Sequence, residues 1–297
     1  MQAATLQYKL IKKIKDERFD EELIHQYNLL VHIGVRDLQI AVIDTREPRV
    51  VLLEDYVLPN AGAHNNHLHV LEQIFDSHAL LKAGFWNQIK ISVKNQQFVQ
   101  VPASLFVEEA ADDFLQFNAT IDSGSEQVMH VLNDRADAVT VFAVWEDLKT
   151  WLQRIYPSKK PVFLHQSAAL IEGVLEYANR NKEQGDPLYI YVDRFRLHVL
   201  SCKEGKLVYY NQFVIKQFAD YIKYIMLVMK SLKMDQHTSQ VVLWGYVGKN
   251  SPHYHEFYKY INNVTFGGRP AYLNFGYMFD EIQDHHFFDL FSMHLLG

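Results

Sequence analysis

Two stretches of this chain follow one layout. In the first, Leu29-Leu30-Val31-His32-Ile33-Gly34 is followed by an apolar run from Leu38 to Ile43 and another from Val50 to Val57. In the second, Leu188-Tyr189-Ile190-Tyr191-Val192-Asp193 is followed by Leu197 to Leu200 and by Leu207 to Val214. Each copy is three short apolar runs separated by charged or turn-forming residues, the pattern of adjacent strands. A unit this long that occurs twice predicts two homologous lobes rather than a solenoid. Two lobes leave a cleft between them, and a cleft is the usual place for a ligand.

Composition narrows the classes. The 297 residues suffice for one large domain or two modest ones, and an apolar share of 48% argues for a folded chain. The net charge of −6 argues against a surface built for phosphate backbones. Lys9, Lys12, Lys13 and Lys15 form a basic patch, but Glu17, Asp20, Glu21 and Glu22 dilute it at once. A nucleic-acid partner is therefore not expected. The single cysteine, Cys202, allows neither an internal disulfide nor a cysteine zinc cage. No secretory leader and no run of about 18 apolar residues is found, so a cytoplasmic chain without an integral membrane segment is expected.

Along the chain, Gln7 to Ile14 reads as a leading strand within a polar extension, residues 1–26. Leu68, Leu71, Ile74 and Phe75 mark one face of a helix over His67 to Leu81. Trp86 to Val93 and Phe98 to Val101 read as strands, and Glu108 to Phe117 as a short acidic helix. Ala138 to Val144 is strand-like, and Trp145, Leu148, Trp151, Leu152 and Ile155 form a helix face. Pro161 to Leu164 is a strand and Ser167 to Tyr177 a helix. The polar stretch Asn179 to Asp186, with Gly185, separates a first lobe, 27–185, from a second, 186–297. In the second lobe a helix from Gln217 carries Phe218, Tyr221, Ile222, Ile225, Met226 and Met229 on one stripe. A strand then ends in Gly245, a helix covers His253 to Ile261, and a strand covers Val264 to Phe266. The tail from Phe275 to Leu296 is aromatic and acidic. It reads either as a segment folded back onto the lobes or as an interaction segment.

The element order resembles the actin-like ATPase fold, most closely that of bacterial pilus-assembly and secretion-system members and their division-protein relatives. An uncharacterised bacterial family of this fold is the match suggested. Three segments carry the likeness: the strand-then-helix unit Val139 to Tyr156, the alanine-bearing helix opening at Ser167, Ala168 and Ala169, and Val241-Val242-Leu243-Trp244-Gly245-Tyr246. The implied class is α/β: a duplicated, ribonuclease H-like architecture of two lobes, each a mixed five-stranded sheet flanked by helices.

Members that work on nucleotides carry Asp-x-Gly after the first strand of each lobe. The glycine lets backbone N–H groups approach phosphate, and the aspartate positions metal-bound water. Here the first site reads His32-Ile33-Gly34, with histidine for the acid. The second reads Asp193-Arg194-Phe195, with phenylalanine for the glycine. At the adenosine turn Gly245 is followed by Tyr246 rather than a second glycine. The resemblance thus implies a vestigial nucleotide site at Gly34, Asp193 and Gly245, with no catalytic residue, cofactor or metal.

Other candidates are weaker. His64, His67 and His69 read as a solvated loop and helix cap rather than a metal site. His253 with His255, and His285 with His286, are expected by chance among 15 histidines. Gly248-Lys249 lacks the phosphate-loop spacing, and Ser251 reads as a helix cap. Glu108, Glu109, Asp112 and Asp113 read as an exposed acidic face. The expectation is a non-catalytic scaffold component with a protein partner. Its rivals are a nucleotide-binding protein or weak ATPase, in which Gly34 faces phosphate and Asp193 handles water, and a small-molecule module lined by His32, Arg194 and Tyr246. A cleft filled by those three side chains would count against the module.

Overall fold

The structure, a computed structural model, describes residues 8–59, 64–182, 186–194, 196–217, 219–248 and 250–297. Gly185, Phe195, Phe218, Lys249 and the side chain of His253, all named above, lie outside the described residues. In order, the first half holds β1 (Lys9–Lys15), β2 (Tyr27–Ile33), β3 (Asp37–Asp44), β4 (Arg49–Val57), α1 (His64–Ser77), β5 (Gln88–Val93), β6 (Phe98–Pro102), α2 (Ala111–Gln116), β7 (Glu126–Asn133), β8 (Ala138–Trp145), α3 (Glu146–Ile155), β9 (Val162–His165) and α4 (Gln166–Arg180). The second half holds β10 (Leu188–Val192), β11 (Arg196–Lys203), β12 (Lys206–Val214), α5 (Ala219–Ser231), β13 (Gln240–Gly245), α6 (Pro252–Tyr260), β14 (Asn263–Phe266), β15 (Asn274–Phe275) and α7 (Phe288–Ser292).

The duplication is visible in the hydrogen bonding. The first large sheet runs β4-β3-β2-β5-β9 and the second β12-β11-β10-β13-β14. In both, the first three strands in sequence are antiparallel and the last two join parallel to the first. Even the irregularities match. The β3–β4 ladder slips between Val42 and Ile43, and the β11–β12 ladder between Ser201 and Cys202, each at the sixth and seventh residues of its strand. A bulge bends its strand locally, so both hairpins curl at the same place.

The first sheet departs from five strands. β1 pairs with β4 on one edge and β15 also pairs with β4, giving seven strands. Residues 9–15 of the polar extension are therefore built into this sheet. A third sheet, β6-β8-β7, was not expected. Its edge strand β7 is half-buried or exposed except at Asn133, and Glu126, Gln127, His130 and Asn133 interrupt any apolar run. Strands β2, β3 and β10 are buried on both faces and read as continuous apolar runs, which is why they stood out.

Helices cover both faces of each large sheet. Val70, Leu71, Ile74 and Phe75 of α1 and Leu148 and Leu152 of α3 pack on one face of the first. Tyr221, Ile225, Val228 and Met229 of α5 and Phe257 of α6 pack on one face of the second. Between the two sheets lie α4 and the C-terminal segment. Ala168 and Ala169 face the first sheet with Leu290 and Phe291, while Leu170, Ile171, Val174 and Leu175 face the second with Phe288. The aromatic tail, grouped by sequence with the second lobe, thus returns to the first sheet as core. Lys90 on β5 holds it there: its Nζ donates to the carbonyls of Met293 (3.3 Å), His294 (3.2 Å) and Leu296.

Glu54 on β4 is fully buried and meets three partners: Lys13 (2.7 Å), His78 (2.9 Å) and the Tyr56 hydroxyl (2.6 Å). Burial pushes its carboxyl up, but His78, Lys13 and Tyr56 together outweigh burial and hold it at about 2. A pKa below the ordinary 4.5 means stability present above that value and lost as pH falls through about 2. Glu54→Gln should cost roughly 2 kcal/mol at neutral pH and flatten this acid limb. Urea titrations between pH 2 and 7 measure both; an unchanged acid limb would remove Glu54 from the account.

Candidate functional site

The ladders place the turns after β2 and β10 in register. Ile33 pairs with Leu38, and Val192 with Leu197. Gly34 and Asp193 therefore occupy the same position, directly after β2 and β10. Each donates its backbone N–H across its turn, Gly34 to Asp37 O and Asp193 to Arg196 O, both at 2.9 Å. His32 corresponds to Tyr191, not to Asp193, so the two Asp-x-Gly comparisons made from sequence stand two residues out of step. The same register makes Lys94, after β5, the counterpart of Tyr246, after β13. Lys94 N–H donates to Ile33 O (2.9 Å) and Tyr246 N–H to Val192 O (2.8 Å).

Gly245 has φ of +95°, and a Cβ there would strike the backbone of Val192. Only glycine adopts that conformation without cost. Its N–H donates to His285 O at 2.8 Å, a group of the returning tail. At Gly34 a Cβ would strike the Asp37 carboxylate. So the backbone N–H groups of Gly34, Asp193 and Gly245 are all bonded within the chain.

Side chains fill the space these turns face. Lys94 Nζ, almost fully buried, donates to Asp37 Oδ2 (2.7 Å) and Gln39 Oε1 (3.1 Å) and lies 3.8 Å from Asp193 and 3.9 Å from Asp289. Arg194 reaches across to Asp55 on β4 (2.7 Å), and its guanidinium lies 4.9 Å from the centre of the Tyr246 ring. Gln39 Nε2 donates to Tyr246 Oη. Gln166, opening α4, donates to Asp193 (3.0 Å) and to Asp289 of α7 (2.8 Å), and the Tyr191 hydroxyl donates to Asp289 (2.5 Å). One polar cluster therefore ties β3, β4, the two turns, α4 and the tail together.

The electrostatics follow from that crowding. Burial alone would push the Lys94 ammonium down, but Asp193, Asp37 and Asp289 outweigh it and raise its pKa. Burial opposes ionisation of Asp193, yet Lys94, with help from His198 and Gln166, holds the carboxyl well below the usual range. Burial pushes Asp55 up to about 6 against the pull of Arg194, and it raises Asp289 too. His32 is fully buried and neutral, because burial and then Lys94 push it far down; neither ring nitrogen has a hydrogen-bond partner. Among the described residues no group of three or more His, Cys, Asp or Glu side chains could hold a metal ion.

Arg194 and Tyr246 meet, the guanidinium stacked over the ring, while His32 lies buried with its Nδ1 3.5 Å from Asp289. Lys94, Gln39, Asp55, Gln166 and Asp289 escaped the sequence reading. For Lys94 a signal existed, since aligning the repeat puts it opposite Tyr246. For Asp289 none did, since its place depends on the tail's return.

The remaining candidates are structural. His67 is buried, with Nε2 bonded to Gly34 O (2.9 Å), which corrects its reading as solvated. His64 is bonded to Asp147 (2.5 Å) and packs on Trp145, while His69 stays exposed. Cys202 is buried, and burial pushes its thiol up to about 12, leaving it inert. Ser251 caps α6 by accepting from Tyr254 N. Glu108, Glu109, Asp112 and Asp113 are exposed. No helix among the described residues is long and apolar enough to cross a membrane.

The fold is that of the actin-like ATPases. A Bacteroides thetaiotaomicron VPI-5482 protein with actin-like ATPase fold and unknown function superposes with a TM-score of 0.76 at 19% identity, covering 94% of this chain and 99% of that one. A chain of the PilM-PilN type IV pilus biogenesis complex superposes with a TM-score of 0.60 at 11% identity, covering 90% and 97%. No curated protein matches the sequence. The sequence pattern described as "Protein of unknown function (DUF3822)" matches residues 16–264.

Proposed function

This chain belongs to the DUF3822 family, and we propose that it is a non-catalytic actin-like component that works through protein contacts, its nucleotide cleft closed by its own side chains. One observation carries the reading. The N–H groups of Gly34, Asp193 and Gly245 are all spent inside the chain, and Lys94, Arg194 and Tyr246 fill the space they face. A triphosphate needs free donors and room at such turns. Here the two lobes, drawn at residues 27–185 and 186–297, are locked as one body instead of opening around a ligand.

Two further points support a protein partner. The PilM-like neighbour is found in a complex with PilN, and that role is carried over here as part of the proposal. Leu105, Val107 and Phe117, flanking α2, stand in solvent, Phe117 at 87% exposure, and exposed apolar groups of this size commonly mark contact surfaces. A cytoplasmic setting belongs to the same reading.

Isothermal titration with Mg-ATP, paired with a phosphate-release assay, tests it. We expect no micromolar binding and no turnover. Micromolar binding with hydrolysis abolished in Asp193→Ala would replace this reading by that of an active nucleotide enzyme.

A further inference from the structure

We propose that strand β12 is the seam of a two-fold dimer: β12 of a second copy pairs with it antiparallel and joins the two second sheets into one.

The duplication exposes an asymmetry. β12 is the counterpart of β4, each the third strand of its copy and each paired on one side with the second. The outer edge of β4 is covered by the chain itself, since β1 pairs with Leu52 to Val57 and β15 with Arg49 and Val50. Val51, the residue left between them, is the extra residue of the β4 bulge, and Val208 is the extra residue of the matching bulge in β12. The stretch that corresponds to Leu52–Val57 is therefore Tyr209 to Val214. Among the described residues no strand covers it. Burial records the difference: Val50 to Tyr56 are all buried, whereas no residue of β12 is. Yet Leu207, Val208, Tyr209, Tyr210, Phe213 and Val214 are apolar or aromatic, and Val208 is 56% exposed. A long, bare, apolar edge is a template for another strand. β1, the outermost strand of the first sheet, carries four lysines and a bulge, which keep an edge single. From Leu207 to Val214 β12 has no charged residue and no proline.

The occupant has to match an edge without charge. A lysine-rich or acidic strand finds no ion partner there, whereas β12 matches itself. The other uncharged edges are poorer partners: β9 and β14 have four residues each, and β6 ends in Pro102. The Gln212 N–H turns from β11 to Asn211 Oδ1 (2.8 Å). By the two-residue period of an antiparallel ladder, Tyr210, Gln212 and Val214 then present their backbone groups outward. A two-fold axis at Gln212 sets Tyr210 of one copy opposite Val214 of the other, an aromatic–β-branched pair made twice. No like charges face each other along that stretch. A two-fold contact uses the same patch on both copies, so it closes on itself as a dimer and does not grow into a fibre. One strand pair is small beside a standard interface of about 1,600 Å², which sets the expected Kd on the order of 10 µM.

Sedimentation velocity of the full chain between about 1 and about 300 µM reads this equilibrium. Wild type should pass from monomer to dimer across that range. Gln212→Pro removes an outward N–H that the β11 ladder does not use, and should give a monomer with native circular dichroism. Asn211 is exposed, and Asn211→Lys sets two lysines diagonally across the axis, which should weaken pairing about tenfold, as should Asn211→Glu. An equal mixture of these two variants should pair again at least as tightly as wild type, a rescue that no folding defect produces. Wild type that stays monomeric throughout overturns the proposal, as does a dimer that Gln212→Pro and Asn211→Lys both leave intact. Either result leaves the closed-cleft reading as it stands.

Discussion

Lys94→Met should destabilise the protein by roughly 3–5 kcal/mol at pH 7, because it leaves Asp37, Asp193 and Asp289 facing one another in the interior. Thermal unfolding should move down by roughly 10 °C. Methionine has nearly the volume of lysine, so the loss reports charge rather than a cavity. The pH dependence gives the sharper signature. Asp193 is held below its unfolded pKa chiefly by Lys94. A depressed carboxyl contributes stability above its unfolded value, near 3.9, and loses it as pH falls further. The gap between wild type and Lys94→Met should therefore be widest near neutrality and shrink as the carboxylates protonate. Urea titrations at pH 7 and pH 4 measure this. A gap under about 1 kcal/mol at pH 7 would mean the cluster is not a buried ion network, and the lock between the sheets would lose its physical basis.

Removal of residues 286–297 should abolish cooperative folding altogether. That segment carries Phe287, Phe288, Leu290, Phe291, Met293 and Leu296, all buried. Each large buried side chain is worth roughly 2–5 kcal/mol, and together they exceed the roughly 5–15 kcal/mol by which such proteins are stable. The deletion also strips Lys90 of its three carbonyl partners and Gln166 and Tyr191 of Asp289. Circular dichroism melts and dye binding to exposed apolar surface follow the effect. A truncated chain that melts cooperatively within a few degrees of wild type would show the tail to be detachable. The alternative reading, an aromatic interaction segment, would then take over. Phe291→Ala, at roughly 3–5 kcal/mol, is the milder companion and should still fold.

These two experiments bear on different strengths of inference. The three-strand repeats were legible because β2, β3 and β10 are covered on both sides and are therefore mostly apolar, with polar exceptions such as His32 and Gln39. Strand β7 carries no such run because it is largely half-buried or exposed, and its polar residues break the apolar ones apart. Gly34, Asp193 and Gly245 could be picked out as turn positions, since glycine and aspartate after an apolar run are local signals. The repeat itself, with Leu29–Gly34 laid beside Leu188–Asp193, carried their register, but the Asp-x-Gly comparison set His32 against Asp193 and ran two residues out of step with it. The ladders put Gly34 with Asp193 and Lys94 with Tyr246.

Local patterning was enough to specify a doubled α/β scaffold and its turns, because hydrophobic periodicity and turn chemistry act over a few residues. The polar cluster between the sheets was decided elsewhere. Lys94, Asp55, Arg194 and Asp289 come from positions far apart in the chain. Their contact exists only once both sheets are placed and the tail has come back between them. Electrostatic energy depends on distance through space, and no spacing along the chain encodes it.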